Sequence, residues 1–269
     1  EVMKRGLWFK RVVACGPKRS SLWGLCGFLF LAVFVTFPAA LRLPVALIGA
    51  PEGDSYEMMW LIWWLRKALL DSTLSLTQIP LLLYPEGLSF PIIGTQMGAQ
   101  ILALPIAIIS SPAVAFNLMM IAALAFSGFT AYWLGFSLTG NRLAGALCGL
   151  VWAFFPNKMG HALGGHLYQV AVFWLPLFGL SLWRMLVRPS VRRGALTGLT
   201  AALVGSVHSV HIVYFLLPTS LVLLGTDWLE KRPIYWTTQR MVALGTSILV
   251  ASALLMPLYL PVFAQAARG

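Results

Sequence analysis

Long apolar runs, separated by short clusters of Pro, Gly and basic residues, constrain this chain more than any other feature. A helix needs roughly 20 residues to cross a bilayer. Because the runs are continuous and do not alternate between apolar and polar residues, they predict helices and not a transmembrane barrel. We predict an all-α fold, a polytopic transmembrane bundle with about seven spans near 21–44, 113–137, 143–157, 167–187, 194–208, 209–226 and 240–262.

Composition excludes a water-soluble domain, because 59% of the residues are hydrophobic and only 10% are charged, against about 25% charged in soluble domains. The net charge of +11 could suggest nucleic acid, but the basic residues sit in short clusters between apolar runs, with no basic face or binding motif. We therefore expect membrane lipid as a partner and no nucleic acid. The three cysteines lack metal-ligand spacing and are expected to be structural thiols.

The basic clusters predict how the chain is oriented in the membrane. The apolar run 97–110 is short and contains Pro105, which favours a re-entrant or interfacial segment on the outer side. The basic head 1–20 and the clusters at 141–142, 188–193 and 231–240 then all lie inside, as the positive-inside rule requires. We predict one transmembrane domain over 1–269 in the inner (plasma) membrane, with a cytoplasmic N-terminus. It would be the N-terminal part of a longer chain.

A long outer loop, 45–112, is the most polar part of the predicted bundle and is expected to hold juxtamembrane helices, the first at 54–71. It carries five of the eight acidic residues: Glu52, Asp54, Glu57, Asp71 and Glu86. Long loops inside compact domains are usually functional. The same topology places all four histidines on the outer face, although they were not used to assign it: His161, His166, His208 and His211. This periplasmic or extracellular side is the predicted active face.

Two segments and one arginine supply candidate substrate-binding residues. Lys158, His161 and His166 lie in a glycine-rich outer segment and could hold a phosphate, or the segment could simply meet lipid headgroups. His208, His211 and Tyr214 are spaced by three, so they could line one pocket from one helical face or hydrogen-bond between spans. Arg42, at the outer end of the first span, could bind a phosphate or extend to the headgroups.

A series of short motifs, in order along residues 50–180, resembles the GT-C glycosyltransferases, multi-span enzymes that use polyprenyl-linked sugars. More narrowly, the chain is similar to poorly characterised bacterial multi-span members of that superfamily. The matching pieces are GDSYEMMWLIWW (53–64), Tyr84-Pro85-x-Gly87, Ala115-Phe116-Asn117-Leu118, Thr139-Gly140-Asn141-Arg142 with Ala144 and Gly145, Phe155-Pro156, Gly165-His166 and Trp174-x-Pro176-Leu177.

The resemblance implies a role for Asp54, which lies where the family places its first-loop catalytic acid. It would accept the proton of an acceptor hydroxyl during inverting transfer from a polyprenyl-phosphate-linked sugar, and a low-dielectric surface would suit such a base. His166 matches the family's Gly-His. Some members pair the acid with a divalent metal such as Mg²⁺ or Mn²⁺, for which Asp54 and Glu57 could supply oxygen ligands.

Two other interpretations remain open from the sequence. Asp54 could cap the helix that follows it, with Glu57 completing a capping box. The chain could also be a non-catalytic, GT-C-like scaffold subunit with other membrane subunits as partners. A solute transporter is disfavoured because the acidic residues lie in a loop and not within broken helices near the midplane.

Overall fold

The computed structural model describes residues 20–76, 78–89, 96–230 and 237–267, which form a helical bundle and confirm the all-α prediction. Most of the basic head 1–20, and residues 231–236 of the last basic cluster, lie outside the described residues. The helices are α1 Ser20–Val35, α2 Ser55–Leu70, α3 Gly98–Ile109, α4 Pro112–Thr139, α5 Arg142–Phe154, α6 Pro156–Leu163, α7 Leu167–Val170, α8 Trp174–Val187, α9 Val191–Val207, α10 Leu217–Glu230 and α11 Thr238–Ala266.

Three short elements complete the described chain. A 3-10 turn, Ala39–Leu41, follows α1, and a π-helical turn, Ile212–Leu216, leads into α10. Two strands of two residues each, β1 Gln78–Ile79 and β2 Leu88–Ser89, pair antiparallel within the loop between α2 and α3. With so little strand, packing between helices supplies the core.

Helix α4 is the centre of the bundle and packs against α1, α2, α3, α5 and α8. It begins with Pro112 behind Ser111, whose hydroxyl accepts from the N–H of Val114, and it ends where Gly140 takes a left-handed conformation at φ 70°. Asn141 then caps α5 by accepting from two backbone N–H groups. The turn of two residues makes α4 and α5 an antiparallel hairpin.

Four helical segments of the described chain are long and apolar enough to cross a membrane: Pro112–Thr139, Leu167–Val187, Ile212–Leu229 and Thr238–Gln265. They indicate a membrane protein, but they are fewer than the seven spans predicted. In the predicted spans 21–44, 143–157 and 194–208 the helices have 16, 13 and 17 residues. Helix α5 ends at Phe154 because Phe155, which precedes Pro156, is extended (ψ 152°), as a residue before a proline tends to be.

The predicted surface helix over 54–71 forms as α2, but one side of it is packed into the core. Met58, Leu61 and Trp64 are buried, while Glu57 is exposed. The run at 97–110 forms α3, 12 residues that contact α2 and α4. Because α5 is only one residue longer, the predicted outer position of α3 follows from the distribution of basic residues and not from its length.

The bundle has two distinct ends. We call the first the basic end: α4 finishes there, Arg188 lies in the turn between α8 and α9, Arg192 and Arg193 lie in the first turn of α9, and Arg184 stacks over Trp133 at 5.3 Å. The guanidinium of Arg240 also lies there, donating to the carbonyl of Leu186 at 2.8 Å. We call the second the histidine end, where α4 begins, α5 finishes and α6 and α7 lie.

Candidate functional site

At the histidine end, the N-terminus of α2 is bound to the turn that follows α6. The N–H of Asp54 donates to the carbonyl of Gly164 at 2.8 Å, and that of Ala50 donates to Leu163 at 2.5 Å. A Cβ on Gly53 would lie 2.7 Å from the Gly164 oxygen. The backbones therefore meet so closely that only glycine fits at position 53, which fixes Asp54 beside the turn.

The segment before Asp54 is held by Asn117, which is fully buried in α4. Its side-chain oxygen accepts from the N–H of Ile48 at 2.8 Å, and its amide donates to the carbonyls of Leu43 and Ala46 at 2.8 and 2.7 Å. The sequence placed Asn117 only at the opening of a span and missed this function. The sequence signal for this function was the Asn117 amide within an apolar run, because a polar side chain in such a run tends to form hydrogen bonds inside the protein.

Asp54 and His166 form the centre of the site. Oδ2 of Asp54 lies 3.1 Å from Nε2 of His166, and the two side chains are 45% and 30% exposed. Asp54 occupies the N-cap position of α2, but its side chain makes no capping hydrogen bond. Because its own N–H is taken by Gly164, the predicted capping box with Glu57 is not formed. The carboxylate is accessible enough to meet a substrate.

His161 extends the pair into a carboxylate–histidine group of three residues: Asp54, His166 and His161. The Nδ1 atoms of the two histidines are 2.8 Å apart, so one of them must carry a proton. If Nε2 of a neutral His166 donates to Asp54, its Nδ1 accepts from His161. Burial, and then the neighbouring charge of His166, lower the pKa of His161, which favours the neutral ring.

The two remaining histidines continue inward from this group through Tyr168. The Tyr168 ring centroid is 6.0 Å from His166 and 4.7 Å from His208. His208 and His211 are 8% and 1% exposed, with ring centroids 5.7 Å apart, and Nε2 of His211 lies 3.2 Å from Oε1 of Gln169. The four predicted histidines therefore lie at one end of the bundle. Tyr168 and Gln169 were not identified from the sequence.

Lys158 lies nearby on α6 but is buried, with 2% of its surface exposed. Its ammonium is 4.8 Å from the Trp152 ring centroid, and Nζ finds no hydrogen-bond partner in the described part of the chain. Burial lowers the pKa of Lys158 to about 7. It is a donor that lacks an acceptor.

Three predicted site residues lie apart from this cluster. Glu57 and Arg42 are exposed, on α2 and beside the 3-10 turn. Tyr214 is 69% exposed, so the prediction that it lines a pocket with His208 and His211 is wrong. The π-helical turn widens the helix there, so a spacing of three does not keep Tyr214 on their face.

In the described part of the chain, Asp54 and Glu57 are not part of a group of three possible metal ligands. Within 20–76, 78–89, 96–230 and 237–267, no three His, Cys, Asp or Glu side chains converge as a metal site would need. Asp54 is instead directed at His166. The chemistry offered by this geometry is therefore that of a carboxylate base whose position is fixed by a histidine.

No protein-family model, curated protein or solved structure matches this chain.

Proposed function

We propose that this chain is an inverting, GT-C-like glycosyltransferase module that takes its sugar from a polyprenyl phosphate at the outer face of the bacterial inner membrane. In this proposal α1, α5 and α9 cross the bilayer with the four longer segments, giving seven crossings. The histidine end is then outside and the basic end is cytoplasmic, in line with the positive-inside rule.

The observation that carries the proposal is the 3.1 Å contact between Asp54 and His166 at one end of an apolar bundle. The elements that bring them together are distant in sequence, and both are held by backbone hydrogen bonds and a close glycine contact. A half-exposed carboxylate fixed in this way is suited to proton abstraction.

The reaction assigns one step to each group. The oxygen of an acceptor hydroxyl attacks the anomeric carbon, and its proton passes to the carboxylate of Asp54. The bond between the anomeric carbon and the phosphate oxygen breaks, and its electron pair leaves with the polyprenyl phosphate. Attack opposite the leaving group inverts the configuration. His166 keeps the carboxylate oriented and, through His161, can take up or return a proton.

The leaving phosphate needs hydrogen-bond donors. His161 and His208 carry ring nitrogens at the same end, and Lys158 has an ammonium without a partner there. A lipid phosphate that reaches Lys158 would supply the missing acceptor and favour its charged form. This assigns the donor lipid to the side of the cluster formed by α5, α6 and the turn after α9.

The proposal is tested in membranes supplied with polyprenyl-phosphate sugars labelled in the sugar, by following release of polyprenyl phosphate and loss of label from the lipid. Asp54→Asn should lower the initial rate by 10²-fold or more, and Glu57→Gln, an exposed acid on the same helix, should retain it. Adding EDTA reports whether a divalent ion such as Mg²⁺ or Mn²⁺ takes part. Full-rate transfer by Asp54→Asn would exclude Asp54 as the base, and transfer that is equally fast in membranes lacking this protein would favour the non-catalytic scaffold.

A further inference from the structure

A cavity of about 680 Å³ opens at the basic end, between α4, α8 and α9. It is distinct from the carboxylate–histidine group, because Trp133 in its wall and Asn117 at the histidine end are 16 positions apart on α4. At 1.5 Å per residue, this separation is about 24 Å along the helix. The proposed glycosyl transfer does not use this cavity.

The walls of the cavity are apolar and its cations are arginines. Trp133, Leu177, Leu180 and Leu196 line it, together with Arg184, Arg192 and Arg193, and no acidic residue is among its lining. The Arg184 guanidinium is held over the Trp133 ring at 5.3 Å. Arg193 donates one N–H to the carbonyl of Arg188 at 2.5 Å. The cavity thus combines three positive charges, two of them held in place, with an apolar surface.

The cavity wall is also built to keep its shape. The hydroxyls of Ser181 and Thr200, which both line the cavity, lie 2.8 Å apart and join α8 to α9. Ser190 fixes the start of α9, because its hydroxyl accepts from the N–H of Arg193. These contacts hold the two helices, and the arginines on them, at a set separation.

We propose that this cavity binds one anionic phospholipid of the surrounding membrane. The arginines would donate to the phosphate diester, since guanidinium groups suit phosphate geometry, and the leucines and Trp133 would contact the glycerol and the first acyl carbons. Basic pockets between transmembrane helices are suited to such headgroups. A zwitterionic lipid, whose choline opposes the arginines, would be disfavoured.

The test is native mass spectrometry of the delipidated protein in detergent, titrated with phosphatidylglycerol or with phosphatidylcholine. The wild-type protein should retain one phosphatidylglycerol with an affinity about tenfold or more above that for phosphatidylcholine. Arg192→Gln combined with Arg193→Gln should abolish most of this preference. The matched control, Arg142→Gln combined with Lys67→Gln, removes the same charge from exposed positions outside the cavity and should preserve it.

Two further measurements show whether the cavity binds a lipid or only a free anion, and whether a variant has lost the binding site or has unfolded. Leu196→Ser, at a wall position that is 48% exposed, should weaken phosphatidylglycerol binding about tenfold or less and leave the thermal unfolding temperature unchanged. Inorganic phosphate at the same concentration should not displace the lipid. Displacement by phosphate alone, equal binding of the two lipids by the wild type, or an unchanged preference in the Arg192/Arg193 variant would each overturn the proposal.

Discussion

The N–H of Asp54 donates to the carbonyl of Gly164 at 2.8 Å, which leaves the side chain of Asp54 directed at His166, 3.1 Å away. This backbone contact holds the start of α2 against the turn after α6, and the carboxylate at that position makes no capping hydrogen bond. Asp54 belongs instead to a group that continues through His161, and near it the buried histidines lie around Tyr168.

Asn117 should be among the most important side chains for stability. Asn117→Leu would leave the Ile48 N–H and the carbonyls of Leu43 and Ala46 without partners inside the protein. At about 1–3 kcal/mol for each buried group, we expect a loss of about 3 kcal/mol or more. The thermal unfolding temperature in detergent should fall by roughly 6–12 °C. Asn141→Ala, which removes only an exposed helix cap, should lower stability by about 1 kcal/mol.

Gly53 should not tolerate a methyl group. In Gly53→Ala the new Cβ would meet the oxygen and carbon of Gly164 at 2.7 and 2.9 Å, and backbone atoms cannot rotate away. We expect a loss of about 1–3 kcal/mol and a decrease in transfer activity, because the α2 terminus must move. Gly160→Ala, in open space on α6, should be neutral or stabilising by about 0.5–1 kcal/mol. Similar unfolding temperatures for the two variants would contradict the close contact.

Lys158 should make stability depend on pH in a defined direction. Its pKa is lowered to about 7 by burial, whereas the unfolded chain holds the proton up to about 10.4. Between these values the unfolded state binds more protons, so stability should rise as the pH increases above 7. Below pH 7 Lys158 is charged in both the folded and the unfolded state, so burial of its charge lowers the free energy of unfolding by the full amount.

The matching variant is Lys158→Met, which should be more stable than the wild type at pH 6, with the difference narrowing by pH 9. Thermal unfolding temperatures of the two proteins between pH 6 and pH 9 measure this stability difference. Lys67→Met, at an exposed lysine over Trp63, should change stability by about 0.5 kcal/mol or less. A wild type and a Lys158→Met variant with parallel pH profiles would show that the lysine is hydrated and not buried.

Topology is tested by labelling single cysteines after Cys15, Cys26 and Cys148 are replaced by serine. Glu52 and Ser190 are exposed, at the histidine end and the basic end. Cysteine at Glu52 should react with a membrane-impermeant maleimide in intact cells, and cysteine at Ser190 only after permeabilisation. The reverse pattern would put the carboxylate–histidine group inside the cell and exclude an outer active face.

The sequence was most informative where the signal is local. The continuous apolar run over 113–137, with Ser111 before it and Gly140 after it, predicts α4 closely, because capping and hydrophobicity act over neighbouring residues. Helix length was predicted less well, since the apolar run 143–157 did not reveal that α5 would end at Phe154, before Pro156.

The site itself depends on contacts between distant segments, which composition and spacing do not encode. The predicted topology placed the four histidines at one end of the bundle, but it did not predict which side chain each histidine contacts. Gly53 against Gly164 and Asn117 against Ile48 arise from how α2, α4 and α6 pack. Tyr214 was assigned wrongly because a regular helical spacing was applied across a π-helical turn.

The most direct test of the central claim is the initial rate of sugar transfer in four proteins: the wild type, Asp54→Asn, His166→Ala and the double variant. If the two residues act as one unit, Asp54→Asn should lower the rate by 10²-fold or more, His166→Ala by a smaller factor, and the double variant no further than Asp54→Asn alone. Losses that multiply in the double variant would show two independent roles. Full transfer by Asp54→Asn would contradict the claim.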